Sequence, residues 1–316
     1  MWRLETMHEA TPGTVEDVRH LIATVSQKMQ APPADGPLTD LRSGGTSRAA
    51  VAARDDRRMV GWAQLVAGNE ARAVELVVDD AASPDDGGDA LRSALLRAAL
   101  DLVAADGGGT VHWWSQGAKD RDTRVAAAAG MVPGRRLLQL RRPLPTDLPV
   151  DVDTRSFRQG EDEAAWLVVN NRAFADHPEQ GGWTIETLLR REAESWFDAA
   201  GFRLHERDGR LAAFCWTKLH EQAEVGHAGG PGPPARIGEI YVIGVDPDFQ
   251  GLGLGRQLTL AGLASIAERG VDLGMLYVDA ANIPAVTLYE HLGFTTHRVD
   301  VAHSVEVAPQ PGDRND

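Results

Sequence analysis

In the second half of the chain, apolar and polar positions switch between two periods. An apolar, partly aromatic run at 211–219 and a β-branched one at 238–245 predict strands, because side chains that alternate faces can bury one side of a pleated ribbon. After a glycine-rich turn, apolar residues recur at helical spacing over 256–268, which predicts an amphipathic helix. A strand at 275–279, a helix at 284–292 closed by Leu-Gly-Phe, and a last strand at 297–305 complete the run. The first half offers the same order: strands at 60–66 and 73–78, a helix at 90–104, a strand at 110–114, a helix at 124–129 closed by Gly130, and a strand at 136–141. Alternation of this kind predicts an α/β fold (α+β mixed sheets), and the repeated order predicts two tandem copies of one domain.

Between the copies, Arg141-Arg142-Pro143-Leu144-Pro145-Thr146-Asp147-Leu148-Pro149 carries three prolines and little periodicity. Proline removes a backbone donor and biases the residue before it toward extended forms. The expected organisation is therefore a domain over 1–141, a linker over 142–155 and a second domain over 156–307. Segments 31–45 and 226–234 are rich in glycine, proline and small residues and read as mobile loops. The tail from Ala308 reads as disordered.

Composition narrows the function. Hydrophobic residues make up 43% and charged residues 25% of the 316 positions, which is ordinary for a soluble protein. The first residues, Met-Trp-Arg-Leu-Glu-Thr, lack the apolar core of a signal peptide, and no apolar run is long enough to span a bilayer. A cytoplasmic protein with no membrane partner is expected. A net charge of -14 with no basic block repels nucleic acid. An anionic cofactor would then need backbone amides or a few arginines for local positive potential, while an amine-bearing substrate is favoured. The single cysteine, Cys215, excludes a disulfide framework and reads as a buried, inert thiol. His177-Pro178-Glu179 offers two metal ligands without a third at regular spacing, so no metal is expected.

The sharpest motif is Val242-Ile-Gly-Val-Asp-Pro-Asp-Phe-Gln-Gly-Leu-Gly-Leu-Gly255-Arg256. A strand runs into a glycine turn and then a helix, whose first N–H groups and positive dipole end form an anion cradle. A Rossmann fingerprint would place its first glycine directly after the strand, and a Walker loop would need Gly-Lys-Ser/Thr; neither condition holds. The pattern Gln250-x-x-Gly253-x-Gly255 instead resembles the pyrophosphate-binding motif of the GNAT N-acetyltransferase superfamily. The stretch Asn282-Ile-Pro-Ala-Val-Thr-Leu-Tyr289-Glu-His-Leu-Gly-Phe294 resembles its second signature. The resemblance implies acetyl-CoA as co-substrate. It would be held by Ile243, Gly244 and Val245 at the strand end, by Gln250, Gly251, Leu252, Gly253, Leu254, Gly255 and Arg256 in the turn, and by Asn282, Ile283, Pro284, Ala285, Val286 and Thr287 at the later helix. Asn282 is also expected to cap that helix.

Acetyl transfer to an amine needs a base, an oxyanion donor and a proton for the leaving thiolate. Glu239, an acidic residue in an otherwise apolar strand, is the candidate base. Strict alternation puts it on one face with Tyr241 and Ile243. A backbone N–H near Val245 would meet the oxyanion, and Tyr289 would return a proton to the thiolate.

A closer resemblance lies in Asn170-Asn-Arg-Ala-Phe-Ala-Asp-His-Pro-Glu179-Gln-Gly-Gly-Trp183, Trp216-Thr-Lys218-Leu-His220, Gly238-Glu239-Ile-Tyr-Val and Gly293-Phe-Thr-Thr. These strings are similar to those of the mycothiol synthase family, tandem acetyltransferases of actinobacteria. That likeness implies a small-molecule acceptor, desacetylmycothiol (cysteinyl-glucosaminyl-inositol), whose cysteine amino group is acetylated. It implies acceptor contacts at Glu179, Lys218, Glu239 and Tyr277, with Asp35 roughly where the family has an acidic contact, and a monomer. Another small-amine acetyltransferase and a non-catalytic acyl-CoA sensor stay open as alternatives. Aligning the repeats sets Arg72 opposite Glu239, Ala126 opposite Tyr289 and Pro84-Asp-Asp-Gly-Gly-Asp89 opposite the cradle. No cofactor is expected in the first half, since its carboxylates would repel a pyrophosphate.

Overall fold

The computed structural model describes the chain apart from Met1, residues 30–48, Arg57, residues 68–70, 84–87, Asp176, residues 178–179, 224–234 and 311–316. Asp35 and Glu179 lie outside the described residues, as do the loop at 226–234, the loop at 31–45 and the 84–87 part of the acidic turn. The chain folds into two compact units. The first comprises Met1–Leu137, Asp279–Ala281 and Arg298–Asp316, and the second Leu138–Val278 and Asn282–His297.

The first unit contains β1 (Trp2–Met7), α1 (Pro12–Met29), β2 (Ala49–Asp55), β3 (Arg58–Ala67), β4 (Arg72–Val78), α2 (Asp89–Ala105), β5 (Gly109–Ser115) and α3 (Asp120–Ala128). Its sheet runs β1-β2-β3-β4-β5 and is completed by residues 298–307 of β12 (Thr295–Val307). Neighbours are antiparallel except β4 and β5. Leu91, Leu95, Leu96 and Val103 of α2 pack with Val60 and Trp113 in one apolar layer. Val18, Leu21 and Ile22 of α1 pack with Trp62 in another.

The second unit takes residues 138–143 of β6 (Val132–Pro143), then β7 (Arg155–Ser156), α4 (Glu163–Ala173), α5 (Ile185–Glu192), β8 (Phe202–Arg207), β9 (Arg210–Ala223), β10 (Ala235–Val245), α6 (Leu254–Ala267), β11 (Leu273–Asp279) and α7 (Ile283–His291). The strand order is β6-β11-β10-β9-β8-β7, with β10 and β11 parallel. Leu258, Leu263 and Ile266 of α6 pack with Leu276, Tyr289 and Phe294. An aromatic layer of Trp166, Phe202, Phe214 and Trp216 forms a second core.

The expected strands and helices are present, with ends displaced by a few residues. Three placements differ from the reading of the sequence. The strand expected at 136–141 to finish the first repeat contributes residues 138–143 to the second unit, and residues 298–307 finish the first. A period of two identifies a strand but carries no information about its neighbour. Residues 142–155 are no free linker. Leu144 is buried, its N–H donates to the Asp272 carbonyl at 2.8 Å, and Leu148 and Val152 pack on the same core. The tail is tied as far as Gln310, whose N–H donates to the Ala104 carbonyl at 2.9 Å. No described helix is long and apolar enough to cross a membrane.

Candidate active site

The site begins where two parallel strands part. β10 pairs with β11 only over Ile237–Ile240 against Leu273–Leu276. Beyond Ile240, β10 keeps β9 as its partner up to Val245 opposite Ala213. A bulge sits at that point, since Ile240 faces Thr217 while Val242 faces Trp216, leaving Tyr241 as the extra residue. Bulges bend and twist a strand locally, and here the bend carries the end of β10 away from β11. Among the described residues, the N–H and C=O groups on the freed edge of β10 have no ladder partner.

The bulge also corrects the expected face. Lys218 and His220 of β9 stand beside Glu239 of β10, in the register Glu239 opposite Lys218. Tyr241 stays on that side, packed against Trp196 and Trp216. Ile243, now opposite Cys215, turns to the other side, against the core that holds Tyr289. Strict alternation fails because one strand gains a residue that the other lacks.

Past Val245, Asp246 caps a short 3-10 turn at Pro247–Phe249, its carboxylate accepting from the Asp248 N–H at 2.9 Å. Gly251 and Gly253 follow at φ +79° and +75°, a left-handed region that costs other residues about 1–2 kcal/mol. A Cβ at either position would meet nothing within 4 Å, so the turn opens onto free space. Gly253 starts α6 with no side-chain cap. The first N–H groups of a helix have no partner within it, and here they border a cleft of about 520 Å³.

That cleft brings together Ile243, Gly244, Val245, Gln250, Gly251, Gly253, Leu254, Gly255, Arg256, Asn282, Pro284 and Ala285 from among the expected cofactor residues. Asn282 caps α7, its Oδ1 accepting from the Ala285 N–H at 3.2 Å. Four other expected residues do not line the cleft. Leu252 and Ile283 are exposed, Val286 packs on the core, and Thr287 is exposed. Ala173, Phe174, Phe249 and Leu288 line it as well, and the sequence reading passed over them. Phe174 lay within the Asn170–Trp183 string, but nothing in its spacing tied it to the glycine turn.

The carboxylates beside the cradle are neutralised. Asp248 is held by Arg172 and by Arg210, each at 2.9 Å, and these hydrogen bonds keep its pKa below the usual carboxylate value. Asp246 lies 3.4 Å from Arg172. Arg256 has no carboxylate partner among the described residues, which leaves its charge available to an anion. A diphosphate therefore fits the turn: open glycines, uncapped amides and one uncommitted arginine.

On the other side, Glu239 is buried and accepts from His220, Nε2 to Oε2, at 2.7 Å. The Lys218 ammonium does not pair with Glu239 but sits 4.7 Å above the Trp196 ring. Tyr277 is 36% exposed, and its hydroxyl accepts from Gln139 Nε2 at 2.6 Å. Tyr289 is buried against Phe294, and burial pushes its pKa above the ordinary phenol value, so it stays protonated at neutral pH. Burial likewise pushes the Cys215 thiol up to about 12, as expected of an inert sulfur.

Comparison with known proteins agrees with this geometry. Residues 166–294 match the Acetyltransferase (GNAT) family. The GCN5-related N-acetyltransferase from Sphaerobacter thermophilus superposes with a TM-score of 0.69 at 20% identity, covering 97% of this chain and 96% of that one. A tandem GNAT protein from the clavulanic acid biosynthesis pathway gives 0.68 at 18% identity, covering 98% of this chain and all 100% of that one. Both likenesses are of fold. Over 300 residues the chain is 47% identical to the mycothiol acetyltransferase of Thermobispora bispora, covering 93% of this chain and 96% of that protein. The chain is a GNAT acetyltransferase and belongs to the mycothiol acetyltransferase family.

Proposed function

We propose that the second unit transfers acetyl from acetyl-CoA to the cysteine amino group of desacetylmycothiol, in the last step of mycothiol biosynthesis. One observation carries this reading. Glu239, a buried carboxylate, stands on β10 just before that strand leaves β11 and enters an open glycine cradle.

The division of labour follows from the chemistry. Gly251, Gly253, Gly255 and Arg256 hold the diphosphate, and the freed edge of β10 near Val245 holds the pantetheine arm. An α-amino group titrates near about 8, so the bound amine arrives protonated. Glu239 accepts that proton and frees the nitrogen lone pair. As the amine attacks the thioester carbon, a preorganised N–H on the freed edge of β10 receives the developing oxyanion. Collapse breaks the C–S bond and expels the thiolate while the attacking nitrogen gives up its second proton, which the thiolate takes up through solvent, and Tyr289, next to the cleft-lining Leu288 on α7, is the hydrogen-bond donor assigned to the sulfur. Its raised pKa makes full transfer uphill, so its contribution is a hydrogen bond to the leaving sulfur. Lys218 and Tyr277, on β9 and β11, engage the acceptor, and the family resemblance adds Glu179 and Asp35. The same reading makes the protein a cytoplasmic monomer, which light scattering after gel filtration checks.

The deciding experiment measures free CoA thiol released with a panel of amines, including desacetylmycothiol, free cysteine, a polyamine and an aminoglycoside. Turnover is expected with desacetylmycothiol well above the rest. Preference for another amine would reassign the acceptor, and acetyl-CoA binding without turnover on any amine would make the protein a sensor.

A further inference from the structure

We propose that His220 is the positioning residue for Glu239, holding its carboxylate so that Oε1 faces the acceptor amine. The inference rests on the reading of Glu239 as base. In the antiparallel register, Ile237 opposes His220 and Glu239 opposes Lys218. His220 therefore reaches Glu239 on the diagonal, and its Nε2 lies 2.7 Å from Oε2. A carboxylate can only accept, so the proton between them belongs to Nε2. Among the described residues, His220 is the sole side chain bonded to Glu239.

The cation that could have taken this role is occupied elsewhere. Lys218 is directly opposite Glu239, yet its ammonium rests over Trp196 at 4.7 Å. A lysine ion pair would hold the carboxylate charged but would leave it free to swing on a long, flexible partner. An imidazole fixed on the neighbouring strand engages one oxygen at a defined place and leaves the other unbonded. The two side chains keep 20% and 11% of their accessibility, which shields the bond from solvent but leaves the pair reachable from one side. Among the described residues, this face also carries Lys218 of β9, Tyr241 of β10 and Tyr277 of β11, with Arg191 and Glu194 acting on Tyr241, and with Arg141 of β6 bonded to the Gln139 that donates to Tyr277. Met275, opposite Glu239 on β11, is apolar. No second carboxylate or cation of the described chain competes for Oε2.

Loss of His220 should let the carboxylate turn about its own side-chain torsions and lose that fixed placement. The experiment uses the full chain at saturating acetyl-CoA and acceptor and reads kcat. His220→Ala is expected to lower kcat by roughly ten- to a hundredfold, the usual worth of a hydrogen bond to a charged group. It should leave the KM for acetyl-CoA unchanged. His220→Gln, which keeps an N–H near the same place, should restore most of the rate. In a Glu239→Gln background, His220→Ala should cost almost nothing further, because a positioning residue acts only through its partner.

Equal losses from His220→Gln and His220→Ala would overturn the inference and make the imidazole itself the base. So would a full further loss in the Glu239→Gln background. A kcat unchanged in folded His220→Ala would reduce the pair to a structural contact. If Glu239→Gln alone kept the parent rate, the base assignment would fail instead, and that outcome is distinct from the others.

Discussion

The segments β4–α2 and β10–α6 are two versions of one design, and they differ in a few side chains. Both strands pair in parallel with their neighbour only briefly, Arg72–Val74 against Val111–Trp113 in the first unit and Ile237–Ile240 against Leu273–Leu276 in the second. Both end in a buried aspartate, Asp79 or Asp246, that caps a 3-10 turn and whose N–H donates at 2.9 Å to a strand carbonyl, of Val60 or Ala212. Both helices start from a left-handed glycine, Gly88 or Gly253. The contents of the space ahead of the helix are different. A Cβ on Gly88 would lie 2.7 Å from Arg92 Nη1 and 2.9 Å from Asp80 Oδ1, whereas one on Gly253 meets nothing within 4 Å. Asp80 receives Arg92 at 2.6 Å and Arg121 at 2.7 Å, so the first unit places its own carboxylate where the second leaves room for a phosphate. The proposed base has no counterpart either: Arg72, aligned with Glu239, pairs with Asp106 at 2.7 Å. Ala126, aligned with Tyr289, is buried, and its carbonyl accepts from Met131 at 2.9 Å, as that of Tyr289 accepts from Phe294 at 3.0 Å. Strand, turn and helix cap thus persist without those side chains, because backbone pattern and glycine conformation maintain the fold independently of the proposed catalytic residues.

The comparison breaks most readily at Glu239. Glu239→Gln should slow acetyl transfer roughly a hundredfold or more, the usual contribution of a general base, while acetyl-CoA binding hardly moves. Arg72→Ala, at the aligned position, should leave turnover within twofold of the parent. Steady-state rates across a pH series with saturating amine decide between them. A large loss from Arg72→Ala would mean the first unit takes part in the reaction.

The two glycines provide the next test. Valine at φ +75° or +89° is strained, so both Gly253→Val and Gly88→Val should lower Tm. Only Gly253→Val puts methyl groups into the open cradle, and it should weaken acetyl-CoA by at least about tenfold, the equivalent of about 1.4 kcal/mol. Calorimetric titration of the parent should give one tight site per chain. A second site of similar affinity, lost with Gly88→Val, would end the view of the first unit as closed.

Much of this was legible in the sequence for physical reasons. Helical and strand periods are local properties, and the Gly251–Gly253 spacing reports a backbone that only glycine adopts cheaply. Asn282 as cap and Glu239 as an isolated strand carboxylate are likewise local signals. What could not be read is pairing. The bulge at Tyr241 turns Ile243 to the far face, and its cause is the count of residues on β9 against β10, which no single strand reveals. The exchange of last strands, the packing of Leu144 and the His220–Glu239 bond depend in the same way on which strands become neighbours.

Lys218 refines the comparison on the acceptor side, where the second unit has an aromatic wall of Trp196, Trp216 and Tyr241. Lys218→Ala should reduce kcat/KM for desacetylmycothiol by roughly ten- to a hundredfold, matching about 1–3 kcal/mol for an unpaired polar group in the bound acceptor. The preference over free cysteine should shrink with it, and acetyl-CoA affinity should not change. An unaltered preference would place the acceptor away from β9.

The smallest expected effect concerns the sulfur beneath α6. The carbonyl partners of Asp79 and Asp246 align Val60 with Ala212, and hence Ala63 with Cys215; both of the latter are fully buried. The second unit thus carries a thiol where the first has a methyl group, and that thiol has its pKa pushed up to about 12 by burial alone. An unfolded cysteine ionises near about 8.5. A raised folded pKa gives stability that is fully present below the unfolded value and is lost as pH climbs from about 8.5 toward 12, because the unfolded chain releases its proton first. Tyr289, also raised by burial, adds to the same alkaline loss above about 10. Native protein at pH 8 should therefore leave a chromogenic disulfide reagent unreacted over hours and react fully once unfolded. Cys215→Ala should cost on the order of 1 kcal/mol at neutral pH through the small cavity it leaves. The penalty should shrink and then reverse by pH 10 to 11, since the variant escapes a loss of about 1.4 kcal/mol per pH unit. Denaturant titrations of both proteins at pH 7, 9 and 10.5 measure the crossing. Parallel curves, or a native thiol that reacts at once, would mean that the sulfur is open to solvent and that the packing of α6 on β9 is looser than that of α2 on β3.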